Sequence, residues 1–240
     1  MESQEAQISA VAALAEPTRR RLYDYAVLQP EPVSRDDAAA ALKLPRATAA
    51  FHLDRLADEG LLNVVYQRRT GRRGPGAGRP AKLYQRSNKH VAVSLPQRRY
   101  DLAGRLLSSA LEHAERSGDS PRATLNQRAY QLGEELGEAA RSAAGDRDTR
   151  DTALQVLEAH GFEPRLEGGI EGGDVTLANC PFHTLAQDYT ELVCGMNLCL
   201  LDGLLDGLAP TGLTAHLDPA PPHCCVRLQP ADPGSAAQRR

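Results

Sequence analysis

At 240 residues the chain is long enough for one large domain or two modest ones with real cores. Its 41% hydrophobic and 25% charged content is ordinary for a soluble globular protein, and no run of 18 apolar residues is there to span a membrane. The net charge of −3 hides an asymmetry: residues 1–100 carry 17 Lys+Arg against 10 Asp+Glu, a net of +7, and residues 101–240 carry 11 against 21, a net of −10. One basic and one acidic half point to a polyanion at one end and a different task at the other.

The N-terminus "MESQEAQISAVAALAEPTRRR" lacks the basic-then-apolar layout of a secretory leader, which points to the cytoplasm. Ile8, Val11, Ala12 and Leu14, then Leu22, Tyr25, Ala26 and Leu28, recur at helical spacing, with Pro17 suited to the first turn of a second helix. Ser34 followed by Asp36 and Asp37 predicts the capped start of a short helix ending near Leu42. A tight "KLPR" turn leads into "ATAAFHLDRLADEG", closed by Gly60. Two short helices so joined make a helix-turn-helix, whose second helix can lie in the DNA major groove.

Helical geometry sorts that second helix. Ala49, Leu53 and Leu56 share a face for the core, while Ala47, Ala50, Phe51 and Asp54 point away, flanked by Arg46, Thr48 and Arg55. Phe51 suits a thymine methyl, or else packs on a neighbouring element; Arg46, Thr48 and Arg55 suit phosphates or base edges. "LLNVVYQRR" and "AKLYQRS" then read as two strands around the glycine-rich loop "TGRRGPGAGRP", a β-hairpin wing whose Arg68, Arg69, Arg72, Arg73 and Arg79 would neutralise phosphates. That loop lacks the lysine-serine/threonine pair and following helix of a P-loop.

Three amphipathic helices follow, over "LPQRRYDLAGRLLSSALEHAERSG", "TLNQRAYQLGEELGEAARSAA" and "TRDTALQVLEAHGF"; the first carries Leu95, Leu102, Leu106, Ala110 and Ala114 near one stripe. A long helix after a winged helix often serves dimerisation, and a dimer matches a palindromic site. "FEPRLEGG" and "GDVTLANC" predict two strands, followed by a helix over about 184–208 and short strands at "TAHLD" and "HCCVRL".

All five cysteines fall in this last stretch, where an odd count and a reducing compartment favour metal or redox chemistry over structural disulfides. Cys194 falls in the leucine stripe of the predicted helix with Leu198, Leu201, Leu205 and Leu208, and Cys199 lies on the opposite side. Strand alternation turns Cys224 inward with Val226 and Leu228, and Cys225 outward with Arg227. Cys180 sits in the "NCPFH" turn, so Cys180, Cys194 and Cys224 can meet. Thiolates select zinc or an iron–sulfur cluster, with His183 or His223 as a fourth ligand; plain buried cysteines are the other reading. No Cys-x-x-Cys pair, nucleotide fingerprint or Ser-His-Asp pattern marks an enzyme.

"LAEPTRRRLYDY", "RATAAFHLDRLADEGLL" and "GRRGPGAGRPAKLY", together with "HGFEPR", "NCPFH", "LVCGMNL" and "CCV", resemble the SufR-type branch of ArsR-like transcription regulators. The resemblance implies a cytoplasmic homodimeric repressor on a palindromic double-stranded operator, with an iron–sulfur cluster, typically [4Fe–4S], controlling genes for cluster assembly. By the motif match Cys180, Cys194 and Cys224 would be its ligands; family members differ in the fourth, for which His183 is the candidate. The resulting expectation is a mixed α/β chain: a winged helix-turn-helix over 1–92, a helical connector for dimerisation over 93–145, an α/β cysteine-containing sensor domain over 146–230 and a disordered tail over 231–240. A zinc- or thiol-based redox-responsive repressor is the alternative, and a small organic effector in the acidic half a further rival. No membrane and no small-molecule substrate are expected.

Overall fold

The computed structural model describes residues 4–68, 80–167, 173–219 and 223–231. The chain divides into two units, Met1–Val93 and Ser94–Arg240. The wing-loop residues Arg69, Arg72, Arg73 and Arg79, and the tail from 232 on, lie outside the described residues.

In the first unit, helix α1 (Gln4–Ala13) precedes α2 (Pro17–Leu28), whose start is fixed by Pro17 and by the Glu16 carboxylate, which accepts from the Thr18 and Arg19 N–H groups at 2.9 and 2.6 Å. Strand β1 (Val33–Ser34) runs directly into α3 (Arg35–Leu42), and Ser34 is both the strand's last residue and the helix cap. Asp37 N–H donates to Ser34 Oγ at 3.1 Å, and Ser34 N–H donates back to Asp37 Oδ2 at 3.0 Å. Helix α4 (Arg46–Asp58) ends at Gly60, φ +71°, in a Schellman arrangement: Leu61 N–H reaches Leu56 O at 2.9 Å and Gly60 N–H reaches Ala57 O at 2.9 Å.

Strands β2 (Leu62–Gln67) and β3 (Ala81–Arg86) pair antiparallel from Leu62 opposite Arg86 to Gln67 opposite Ala81, and β1 adds to the other edge of β3. Leu22, Ala26, Leu53, Leu56, Leu62 and Tyr84 form the buried centre. This is a winged helix-turn-helix, with a two-residue strand that no periodicity could announce.

The second unit holds helices α5 (Tyr100–Ser117), α6 (Pro121–Ala144) and α7 (Thr149–Ala159), then β4 (Pro164–Glu167) and β5 (Asp174–Leu177). Helices α8 (His183–Asp188) and α9 (Thr190–Leu208) follow, and β6 (Leu213–Leu217) and β7 (Val226–Pro230) close an antiparallel sheet of order β4-β5-β7-β6. The single helix expected over about 184–208 is two, broken at Tyr189, whose ψ of 53° interrupts the helical ladder. Leu95, expected in the α5 stripe, lies before that helix begins and is exposed. The segment read as a connector contributes α5 and α6 to this unit's core.

Helix α9 is the centre, with eleven of its 19 residues buried. Helix α6 lies so close to it that a Cβ on Gly133 or Gly137 would overlap the backbone of Leu200 or Leu204, and a Cβ on Gly203 or Gly207 that of Tyr130 or Glu134. Glycines four apart on both helices allow this backbone contact. The packing fixes α9, and with it the depth at which Cys194 and Asn197 sit.

Candidate functional site

Helix α4 presents two faces. Ala49, Leu53 and Leu56 are fully buried, as the periodicity predicts, and Phe51 stands 64% exposed on the opposite face, unlike a core aromatic. Ala47 is exposed beside it, with Thr48 and Ala50 half-buried. The charged flanks are held within the unit. Arg46 pairs with Asp36, its Nη2 reaching Oδ2 at 3.3 Å, and Arg55 Nη2 meets Glu59 Oε1 at 2.7 Å. Asp54 accepts from Lys82 Nζ at 2.5 Å and from Tyr84 Oη at 2.6 Å. Partial burial raises the Asp54 carboxyl, but these two hydrogen bonds more than offset it, so it titrates below its ordinary value. The same carboxylate pins α4 to β3, while Phe51, edge-on to the His52 ring, and Ala47 face outward. Arg68, at the end of the wing strand, is exposed.

The cysteines gather in the second unit. Cys180 is buried (7% exposed) in the turn after β5, Cys194 (6%) on α9, and Cys224 (3%) just before β7. Cys224 donates its S–H to Cys180, which lowers the Cys180 thiol below its ordinary value, while the same bond and burial push Cys224 up. Cys194 is joined to Cys225 in a disulfide, with their Cα atoms 6.2 Å apart. Since Cys224 and Cys225 are consecutive, the two pairs are neighbours. Asn197, one turn beyond Cys194 and 1% exposed, donates from Nδ2 to Cys224 Sγ at 3.3 Å. The Cys180 turn is held by Arg98, which donates to Cys180 O at 3.1 Å and also to Asn179 Oδ1.

Cys180, Cys194 and Cys224 are thus in one neighbourhood, though as members of two pairs. Among the described residues no group of three or more His, Cys, Asp or Glu side chains stands as a metal ion would require. His183 and His223 are both exposed. The His183 N–H donates to Cys180 O at 3.1 Å. Cys199 is free and half-buried.

Cys224, Val226 and Leu228 are buried while Cys225 and Arg227 are half-buried, as strand alternation orders them, although the β7 ladder begins only at Val226. What alternation does not show is that Cys225 is bonded to Cys194. Asn197 was missed as well. A lone amide within the apolar face of α9, three residues from Cys194, was the signal that could have found it.

The helix-turn-helix domain family matches residues 14–65, the stretch from α1's end to β2. No curated protein and no solved structure matches the chain. Fold, exposed α4 face and family match agree that the first unit is a DNA-binding domain and the protein a transcriptional regulator. No helix among the described residues is long and apolar enough to cross a membrane.

Proposed function

We propose that this regulator is a repressor, bound as a homodimer to a palindromic operator, whose DNA affinity is set by an iron–sulfur cluster held by Cys180, Cys194 and Cys224. The regulated genes would be those of cluster assembly, and the cluster of [4Fe–4S] type. One observation carries the reading: cysteines 14 and 30 residues apart in sequence sit together, buried, on a turn, a helix and a strand end. Thiolate sulfur is the donor such clusters take, so the set fits in kind. Cys194 is bonded to Cys225 in the structure, so ligation by all three requires that bond to open. His183 is the candidate for the remaining position.

When bound, a cluster supplies a covalent tie among three separate elements and a centre that oxidants or iron shortage can remove. The residues around the thiols do the positioning. Arg98 and Asn179 hold the Cys180 turn, the α6–α9 glycine contact holds Cys194 at depth, and Asn197 directs an N–H at the Cys224 sulfur. A coupling of about 1–3 kcal/mol between cluster and operator would make the loaded form bind about 5–150-fold tighter. Phe51, Thr48 and Ala50 are proposed to read bases, with Arg46, Arg55, Arg68 and the wing arginines on phosphates.

The test is anaerobic purification with visible absorption and iron, sulfide and zinc assays on one sample, followed by operator selection from a random duplex pool with and without cluster. Near four irons and four sulfides per chain is the expected result. Cys194→Ser should lose both cluster and tight binding; a mutant that keeps both would show the ligand assignment to be wrong. A zinc- or thiol-based switch is the second reading, favoured by the Cys194–Cys225 bond, and a colourless protein with one zinc or none, even after reconstitution, would select it.

A further inference from the structure

Cys225 belongs to no ligand set argued above, yet it is the residue that holds Cys194. We propose that Cys225 is a redox gate on the site: closing the Cys194–Cys225 disulfide withdraws Cys194 from the ligands, so the oxidised apo protein cannot take up a cluster until a dithiol reopens it. The inference rests on the cluster reading and adds a covalent regulator to it.

Geometry supports the gate from both sides. The Cα separation of 6.2 Å lies within the span a disulfide bridges without backbone movement. Both partners sit on fixed frames: Cys194 on the most buried helix, and Cys225 on a segment pinned by Cys224 N–H to Leu177 O at 2.9 Å and Asp218 N–H to Cys225 O at 2.8 Å. A sulfur bonded to sulfur is no longer a thiolate, and the thiolate is the metal ligand, so bridging and ligation by Cys194 exclude each other. Cys180 and Cys224 are not bridged, so the gate needs only the Cys194–Cys225 couple. Access agrees: Cys225 is half-buried where Cys180, Cys194 and Cys224 are buried.

The oxidant class is a peroxide. The Cys225 thiolate attacks one peroxide oxygen, the O–O bond breaks, and the departing hydroxide takes up a proton as water, leaving a sulfenic acid. Cys194 then attacks that sulfur, the S–O bond breaks, and a second water leaves. Two thiols and one hydrogen peroxide give one disulfide and two waters. A dithiol reverses the step by being oxidised to its own disulfide while Cys194 and Cys225 regain two electrons and two protons.

The experiment uses full-length apo protein, wild type, Cys225→Ser and Cys225→Ala, each reduced or treated with hydrogen peroxide. Free thiols are capped and peptides mapped by mass spectrometry, then ferrous iron and sulfide are offered with and without dithiothreitol. Circular dichroism confirms that at least one variant is folded. Peroxide-treated wild type should carry the 194–225 cross-link and load less than about a tenth as much cluster as the reduced protein, recovering with dithiothreitol. Both variants should load equally before and after peroxide. Equal loading of oxidised and reduced wild type overturns the gate and leaves the cluster reading standing. A cross-link between other cysteines overturns it too, and so does a reduced Cys225 variant that folds but does not load, which makes Cys225 a ligand. Reduced wild type that takes up no cluster sinks the cluster reading itself, and the gate with it.

Discussion

Helices α4 and α9 do opposite things with similar ingredients. Helix α4 buries Ala49, Leu53 and Leu56 and turns the rest outward, including an aromatic ring that no core residue covers. Helix α9 is buried over most of its length, and Cys194 and Asn197 face inward among leucines. A helix that serves an outside partner must keep a face uncommitted; a helix that builds an internal site gives up every face to packing. The difference extends to the polar groups. Around α4 they are paired at the surface as Arg46–Asp36, Arg55–Glu59 and Lys82–Asp54, where each pair contributes little to stability. Around α9 the buried ones are thiols and an amide inside the core, where Cys194 is bonded to Cys225 and Asn197 Nδ2 donates to Cys224 Sγ.

The sharpest break of this contrast is Gly203→Leu. A side chain there has only the α6 backbone to enter, so the second unit should lose about 3 kcal/mol or more. Hydrogen exchange should show amides of α6 and α9 losing protection while those of α4 keep theirs; protection retained in α9 would mean the helices are not in backbone contact. On α4 the two faces should separate cleanly. Leu53→Ala, in the core, should cost about 2–5 kcal/mol in denaturant unfolding. Phe51→Ala should leave stability within about 0.5 kcal/mol, since the ring is mostly exposed. Its operator affinity, read by fluorescence anisotropy, should fall by roughly tenfold or more, and unchanged affinity would remove Phe51 from the interface.

The smallest effect is a pH dependence of the second unit. Burial pushes the His160 imidazole below its ordinary 6.5, with the Arg99 guanidinium adding to the shift, so the unfolded chain binds this proton more readily than the folded one. Its contribution is therefore whole above about pH 6.5 and drains as pH falls below that. Melting temperatures taken from about pH 7 down to about pH 5 should decline, and less steeply in His160→Gln.

Much of the first unit was legible because its signals are local. The Ser34–Asp37 cap, the Gly60 terminus and the 3.6-residue period of Ala49, Leu53 and Leu56 each act within a turn or two of chain. What escaped was β1, two residues with no period, defined only by its pairing with Leu83 and Tyr84. In the second unit the inward placement of Cys180, Cys194 and Cys224 was legible, and the partner of each was not. Alternation placed Cys224 inward and Cys225 on the less buried side, as observed, but it carries no information on the bond from Cys225 to Cys194.

By itself, then, the sequence determined the winged helix, the sign and place of its charge, and the clustering of thiols in one acidic half, because propensity, capping and periodicity are short-range. Tertiary structure alone decided that α6 and α9 meet backbone to backbone, that Arg46 and Arg55 are tied to carboxylates, and that Cys194 faces Cys225 while Cys180 faces Cys224. Which sulfur meets which depends on where a strand begins and how deep a helix sits. Those are set by packing among residues far apart in the chain, which no local pattern encodes.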